Sequence, residues 1–248
     1  MARTAEDFVF FWKPEQSHGW ASQWYKSPFS ARVILPDGEE RDVTFTTAEH
    51  WMMGQKALLF GDQEIFERIV GLPASDKSVS PPNPTQSASA VSTEGGPVRN
   101  TRSRPSRPSR STTKASTTRV PRTRIPGPKE AKALGRKVRN FDEGRWARER
   151  ERIVLAGTLH KFRQHADLRA LLLGTGERGL VEASPMDRVW GVGVGARKAA
   201  EMCVSAEGRE GWRMNLLGRA LGEARRILRL EGEGGGASGE AAEGREAS

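Results

Sequence analysis

The placement of the aromatic residues constrains this chain most. All 17 aromatic side chains (seven Trp, nine Phe and one Tyr) lie in residues 1–73 and 127–230, and the 53 residues between those stretches carry none. A core needs large apolar side chains, so it must be built from these two stretches, 177 residues in all, enough for one domain. Residues 74–126 hold 11 Ser, 8 Thr and 8 Pro instead. Such a segment buries too little surface to offset its ordering entropy, so a disordered basic insertion is expected to interrupt a single domain. Residues 231–248, rich in Gly and Glu, are expected to form a disordered tail for the same reason.

Charge follows the same division. The chain has a formal net charge of +9, of which residues 74–126 carry +8, residues 231–248 carry −4 and the remainder only +5. The folded part is therefore mildly basic, and weak contact with nucleic acid, if made, is expected through the Arg-rich residues 99–124. A single cysteine, Cys203, excludes a disulfide framework and a cysteine-built zinc site. The four histidines (His18, His50, His160, His165) lack the spacing of a metal-binding helix, so neither metal nor cofactor is expected. No apolar run approaches the roughly 20 residues of a membrane span, and Glu6 and Asp7 interrupt any secretory leader. The expectation is an intracellular, cytoplasmic protein with no membrane partner.

Local patterns predict a helix-rich α+β domain with a few short antiparallel strands. Residues 8–12 read as a strand. Residues 31–35 and 41–45 flank Pro36-Asp37-Gly38-Glu39 and read as a hairpin. Thr46-Thr47-Ala48-Glu49 has the spacing of a capping box, with Thr46 as N-cap and Glu49 at the third helical position. That helix should stop at Gly61, and Asp62 should cap another reaching Val70. Pro128 opens a predicted helix through Val138. Asp142 caps one to Gln164, with Trp146 and Ile153 on one stripe. Asp167 starts a helix ending at Gly174. Residues 179–183 read as a strand, 184–195 as a Gly-rich loop, and 215–230 as a closing amphipathic helix.

Two groups of residues could carry chemistry. Glu49 and Lys56 are seven apart on the first helix, which places them on one face roughly 10 Å apart. A carboxylate and an ammonium on an otherwise apolar face are costly to bury unless paired or used. Cap duty for Glu49 and a solvated head for Lys56 would also account for them. The second group is Glu182, Asp187, Arg188 and Trp190, at a strand end and in the loop after it. It offers carboxylates, a guanidinium suited to phosphate and an indole suited to a flat ring; a salt-bridged turn over a core Trp190 would use the same residues. Gly191-Val-Gly-Val-Gly195 is not a dinucleotide fingerprint, and no βαβ unit surrounds it.

Seven stretches, in order, resemble one known family. They are residues 22–29 (SQWYKSPF), 45–61 (FTTAEHWMMGQKALLFG), 128–138 (PKEAKALGRKV), 140–154 (NFDEGRWARERERIV), 161–175 (KFRQHADLRALLLGT), 180–193 (LVEASPMDRVWGVG) and 215–221 (NLLGRAL). Together they are similar to the NADAR superfamily, whose YbiA-like and RibX-type members are N-glycosidases. The resemblance covers almost all of residues 1–73 and 127–230; residues 74–126 depart from the family pattern as an insertion.

The resemblance implies a YbiA-like α+β fold and hydrolysis of an N-glycosidic bond. The substrates it implies are ribosylamino-pyrimidine 5′-phosphates, which are riboflavin-pathway intermediates, or ADP-ribosylated guanine. Carried over residue by residue, it assigns Glu49, Asp187 and Lys56 as catalytic. It gives Trp146 as substrate-binding, to which Trp190, Glu182, Trp24 and Tyr25 are added, and Arg188 is the candidate for a 5′-phosphate.

Cleavage of that bond calls for an anion beside the ribose and a proton donor beside the departing nitrogen, roles that glycosidases divide between two carboxylic groups. Glu49 and Asp187 fit these roles in either order. In a covalent variant, Lys56 would form a Schiff base with an opened ribosylamine. The alternative function is a non-catalytic module that binds an ADP-ribose-like ligand and reaches nucleic acid or a partner through its insertion.

Overall fold

The computed structural model describes residues 3–72 and 124–236. The chain divides into two units, residues 1–74 with 122–248 and residues 75–121, and every described residue belongs to the first. The expected disordered insertion lies outside the described residues except for Arg124–Pro126, as does the expected nucleic-acid segment except for Arg124.

The elements run in the order β1 (Phe8–Phe11), β2 (Phe29–Ile34), β3 (Glu40–Phe45), α1 (Ala48–Leu59), α2 (Gln63–Val70), α3 (Pro128–Gly135), α4 (Glu143–Gln164), α5 (Ala166–Leu173), β4 (Gly179–Glu182), α6 (Ala196–Met202), α7 (Ala206–Glu210) and α8 (Leu216–Gly236). The fold is α+β, mostly helix, as the patterning predicts. The hairpin β2–β3 is antiparallel, with Phe29 opposite Phe45 and Gly38 at φ 87° in its turn. Along β2, Phe29, Ala31 and Val33 are buried while Ser30, Arg32 and Ile34 face out, the period of two expected of a half-buried strand.

The other strand pair departs from the expectation of antiparallel strands: β1 and β4 run parallel, with Phe8 opposite Gly179 and Phe11 opposite Glu182. They are far apart in sequence, so no tight turn has to join them. The pair is also covered on both faces. Val9, Phe11 and Leu180 belong to the main core, whereas Phe8 and Val181 pack with Ala183, Val192, Ala199 and Cys203 in a second cluster. Helices α6 and α7, absent from the sequence reading, follow this second cluster; α6 supplies Ala199 to it.

Helix α1 packs on α2, α3 and α4, and α8 packs on α4 and β4. The Trp51 indole donates to the Ile153 carbonyl at 2.7 Å, and a Cβ at Gly157 would lie 2.3 Å from the Trp51 ring, so glycine permits the α1–α4 approach. Asp62 caps α2 through the Ile65 amide, and Asp142 caps α4 through the Arg145 amide, both as predicted. Helix α3 stops at Gly135, three residues short of expectation; a Cβ there would collide with the Met53 side chain. Helix α8 continues six residues past Leu230, which corrects the expected start of the tail at 231. Glu231 pairs with Arg163 of α4, giving that extension a partner on the domain. Residues 237–248 lie outside the described set. No described helix is long and apolar enough to cross a membrane.

Candidate active site

The first turn of α1 differs from the predicted capping box. Thr47, not Thr46, is the N-cap, and its hydroxyl lies 2.8 Å from His50 Nδ1 rather than on a backbone amide. The His50 Nε2 lies 2.7 Å from the Pro126 carbonyl, so Nε2 carries the proton and the threonine hydroxyl donates to Nδ1. The Glu49 amide donates to the Gln23 carbonyl at 3.0 Å. The amide that a capping threonine would accept from is thereby taken by Gln23, and the Glu49 carboxylate lines a cavity instead of closing a capping box. Glu49 is only 2% exposed, and its Oε1 has no hydrogen-bond partner among the described residues.

That cavity has a volume of about 500 Å³ and is walled by the C-terminal ends of β1 and β4, the start of α1, the start of α3 and the loop after β4. Glu49, Glu182, Asp187, Trp190 and Trp24 all line it. Residues more than 130 positions apart along the chain thus face one space. Burial pushes the Glu49 carboxyl up from 4.5 to about 7; the Lys132 charge and a hydrogen bond from Trp24 pull against this, and Asp187 adds to it. Burial, with the charges of Asp187 and Glu49, raises Glu182 to about 8, and its Oε2 is unpartnered among the described residues. Removal from water, with the neighbouring acid charges adding to it, favours the protonated form of both glutamates.

The loop after β4 is fixed from three directions. Asp187 Oδ1 accepts from the Val189 and Trp190 amides at 2.9 and 2.7 Å, while Oδ2 faces Lys132 Nζ at 3.9 Å. The Val192 amide returns to the Glu182 carbonyl, and a Cβ at Gly191 would lie 2.7 Å from that oxygen, so the fold-back requires glycine. Asn215, at φ 48°, accepts from the Glu182 amide and donates to the Leu180 carbonyl, locking the strand end to α8.

Other anticipated residues do not line the cavity. Lys56 is half-buried with its ammonium 3.9 Å from the Phe141 ring centre and 5.5 Å from that of Trp146. Desolvation holds its pKa below the usual amine value. The two-turn separation from Glu49 thus leads to a separate aromatic enclosure, which also buries Trp146. Arg188 is exposed, its stem beside Gly193. Tyr25 packs on the main core, its ring 5.4 Å from the Lys161 ammonium.

The structure also adds residues that the sequence reading did not single out: Trp12, Lys13, Lys132 and Met186 in the lining, and Asn215 behind it. Pro128 and Lys132, four apart on α3, share the lining face; that helical spacing was the available signal. Among the described residues no group of His, Cys, Asp or Glu is arranged to hold a metal ion.

The NADAR domain family matches residues 10–93 and 110–229 of the chain. The chain belongs to the NADAR family. It is 30% identical over 181 residues to N-glycosidase R617 of Acanthamoeba polyphaga mimivirus, covering 73% of each protein. It is 37% identical over 102 residues to N-glycosidase Npun_R5314 of Nostoc punctiforme, covering 41% of this chain and 56% of the cyanobacterial one. The NMR structure of the Escherichia coli protein YbiA matches with a TM-score of 0.49 at 23% identity, covering 93% of this chain and 88% of that one.

Proposed function

We propose that this NADAR protein is a hydrolase that cleaves the N-glycosidic bond of a ribosylated base, with a ribosylamino-pyrimidine 5′-phosphate or ADP-ribosylated guanine as substrate. The observation that carries the reading is one cavity holding the buried Glu49 and the half-buried Glu182, whose pKa values stand near or above neutrality, and a third, hydrogen-bonded acid. Relatives named as N-glycosidases support the reaction class.

Cleavage sends the electron pair of the C1′–N bond to nitrogen and leaves an oxocarbenium-like sugar. Asp187, carrying two amide donors and facing an ammonium, is the anion for that cation and orients the attacking water. Glu49, protonated near pH 7, delivers its proton to the departing nitrogen. Water adds to C1′ and its released proton restores the acid. Glu182 holds a second proton and limits the negative charge of the floor. Trp24 and Trp190 offer flat surfaces to the base. The mechanism makes no use of Lys56, whose ammonium rests among Phe141 and Trp146.

The test is release of ribose phosphate or free ADP-ribose from a panel of N-ribosides, with Glu49→Gln as control. Turnover of at least one N-riboside that falls a hundredfold or more in the variant is the expected result. Tight binding of the panel without turnover would favour a ligand-binding module and overturn the hydrolase reading.

A further inference from the structure

The cavity sorts its charges. Glu49, Glu182 and Asp187 form one acidic region, and among the described residues the lysines lining the cavity are Lys132 and Lys13. Lys132 is committed to that region: it lies 3.9 Å from Asp187, and its charge bears on both glutamates. Lys13 makes no ion pair among the described residues, and its ammonium is 4.7 Å from the Trp12 ring centre. Arg188, the guanidinium anticipated for a phosphate, does not line the cavity.

Lys13 is also well placed. The β1–β4 register sets Phe11 beside Glu182, and two residues of chain carry Lys13 no more than roughly 7 Å beyond it. Its loop is folded tightly: the Gln16 amide donates to the Lys13 carbonyl at 3.1 Å and the Gly19 amide to the Gln16 carbonyl at 2.9 Å. A Cβ at Gly19 would lie 2.1 Å from the Pro14 carbonyl oxygen, so the loop closes only with glycine there. The exposed Lys13 side chain therefore stands on a fixed base in the lining of the cavity that holds the acids.

A phosphate beside the Asp187 carboxylate would be repelled, whereas a sugar developing positive charge is favoured there. Resting on the N-riboside reading, we propose that Lys13 binds the phosphate carried on C5′ of the substrate ribose at the cavity mouth, so that the substrate enters with its glycosidic bond toward the acids. A phosphate monoester and the diphosphate of an ADP-ribosyl group present the same C5′-linked oxygens. Glu15 lines the same cavity with the opposite charge and makes no contact with this group in the proposal.

The experiment compares wild type, Lys13→Ala, Lys13→Arg and Glu15→Gln on three substrates: a ribosylamino-pyrimidine 5′-phosphate, the same compound dephosphorylated, and ADP-ribosylated guanine. Lys13 is exposed, so the alanine variant is expected to fold normally. For one charge-assisted contact at a solvated mouth, kcat/KM on the phosphorylated substrates falls about tenfold, through KM. The dephosphorylated riboside is unaffected, and Lys13→Arg retains most of the preference. Inhibition by ribose 5-phosphate weakens by a similar factor, and Glu15→Gln does not weaken it. A Lys13→Ala enzyme that loses rate equally on both pyrimidine ribosides, or on neither, overturns the assignment while leaving the hydrolase intact. A wild type that cleaves none of the three overturns the N-riboside reading itself.

Discussion

Replacing Glu49 by Gln should stabilise the protein in alkali and disable it at once. The carboxyl is 2% exposed, and burial moves it from 4.5 to about 7. Between those values the unfolded chain releases its proton while the folded one keeps it, so stability is fully present below pH 4.5 and is lost as pH rises through 7. At 1.36 kcal/mol per pKa unit, the difference accumulated between pH 5 and 8 is about 2.5 kcal/mol. Glutamine has nearly the same shape and does not ionise. The urea-unfolding free energy of Glu49→Gln should therefore gain about 2.5 kcal/mol relative to wild type on going from pH 5 to pH 8, with the m-value unchanged. The same variant should lose at least a hundredfold in N-riboside hydrolysis. Parallel stability curves across that range would refute the buried, proton-holding Glu49; a gain in stability with undiminished turnover would refute its role as the acid.

Further expectations concern the rest of the site and its scaffold. Asp187→Asn keeps an oxygen for the Val189 and Trp190 amides, so it should melt near the wild-type temperature yet hydrolyse at least a hundredfold more slowly. Because Glu49 and Glu182 stand near 7 and 8, activity should decline as pH rises through that interval, and Glu182→Gln should move this alkaline limb in a pH–rate profile. Gly157→Ala brings a methyl within 2.3 Å of Trp51 and should cost about 1–3 kcal/mol by urea unfolding, without changing the identity of the products.

Much of this architecture is legible in the residues. The Asp62 and Asp142 caps and the Pro36–Glu39 turn each follow from a local rule, and the structure keeps them. What failed depended on distant partners. The Thr46–Glu49 spacing fits a capping box, but Gln23 claims the Glu49 amide and His50 claims the threonine, and neither partner can be read from a four-residue window. Likewise, Lys56 shares a helical face with Glu49 in projection, yet that face meets α3 at one end and Phe141 at the other, so the two charges enter different surroundings. The parallel pairing of β1 and β4 escaped notice because a strand covered on both faces shows no alternation.

The hydrogen bond from His50 to the Pro126 carbonyl has a consequence for how such chains diversify. It fastens the point where the backbone returns, and Glu130 reinforces that point by accepting from the Gly127 amide and from Arg124. On the departing side, α2 is closed by Gly71 in a left-handed conformation and by the Leu72 amide on Glu67. Both rims of the gap are riveted to the same helical block, so the points where the chain leaves and re-enters that block are set by the described residues themselves. Doubling such a span costs only about 0.6 kcal/mol in closure entropy. Rims fixed in this way let the length between them vary at little thermodynamic cost.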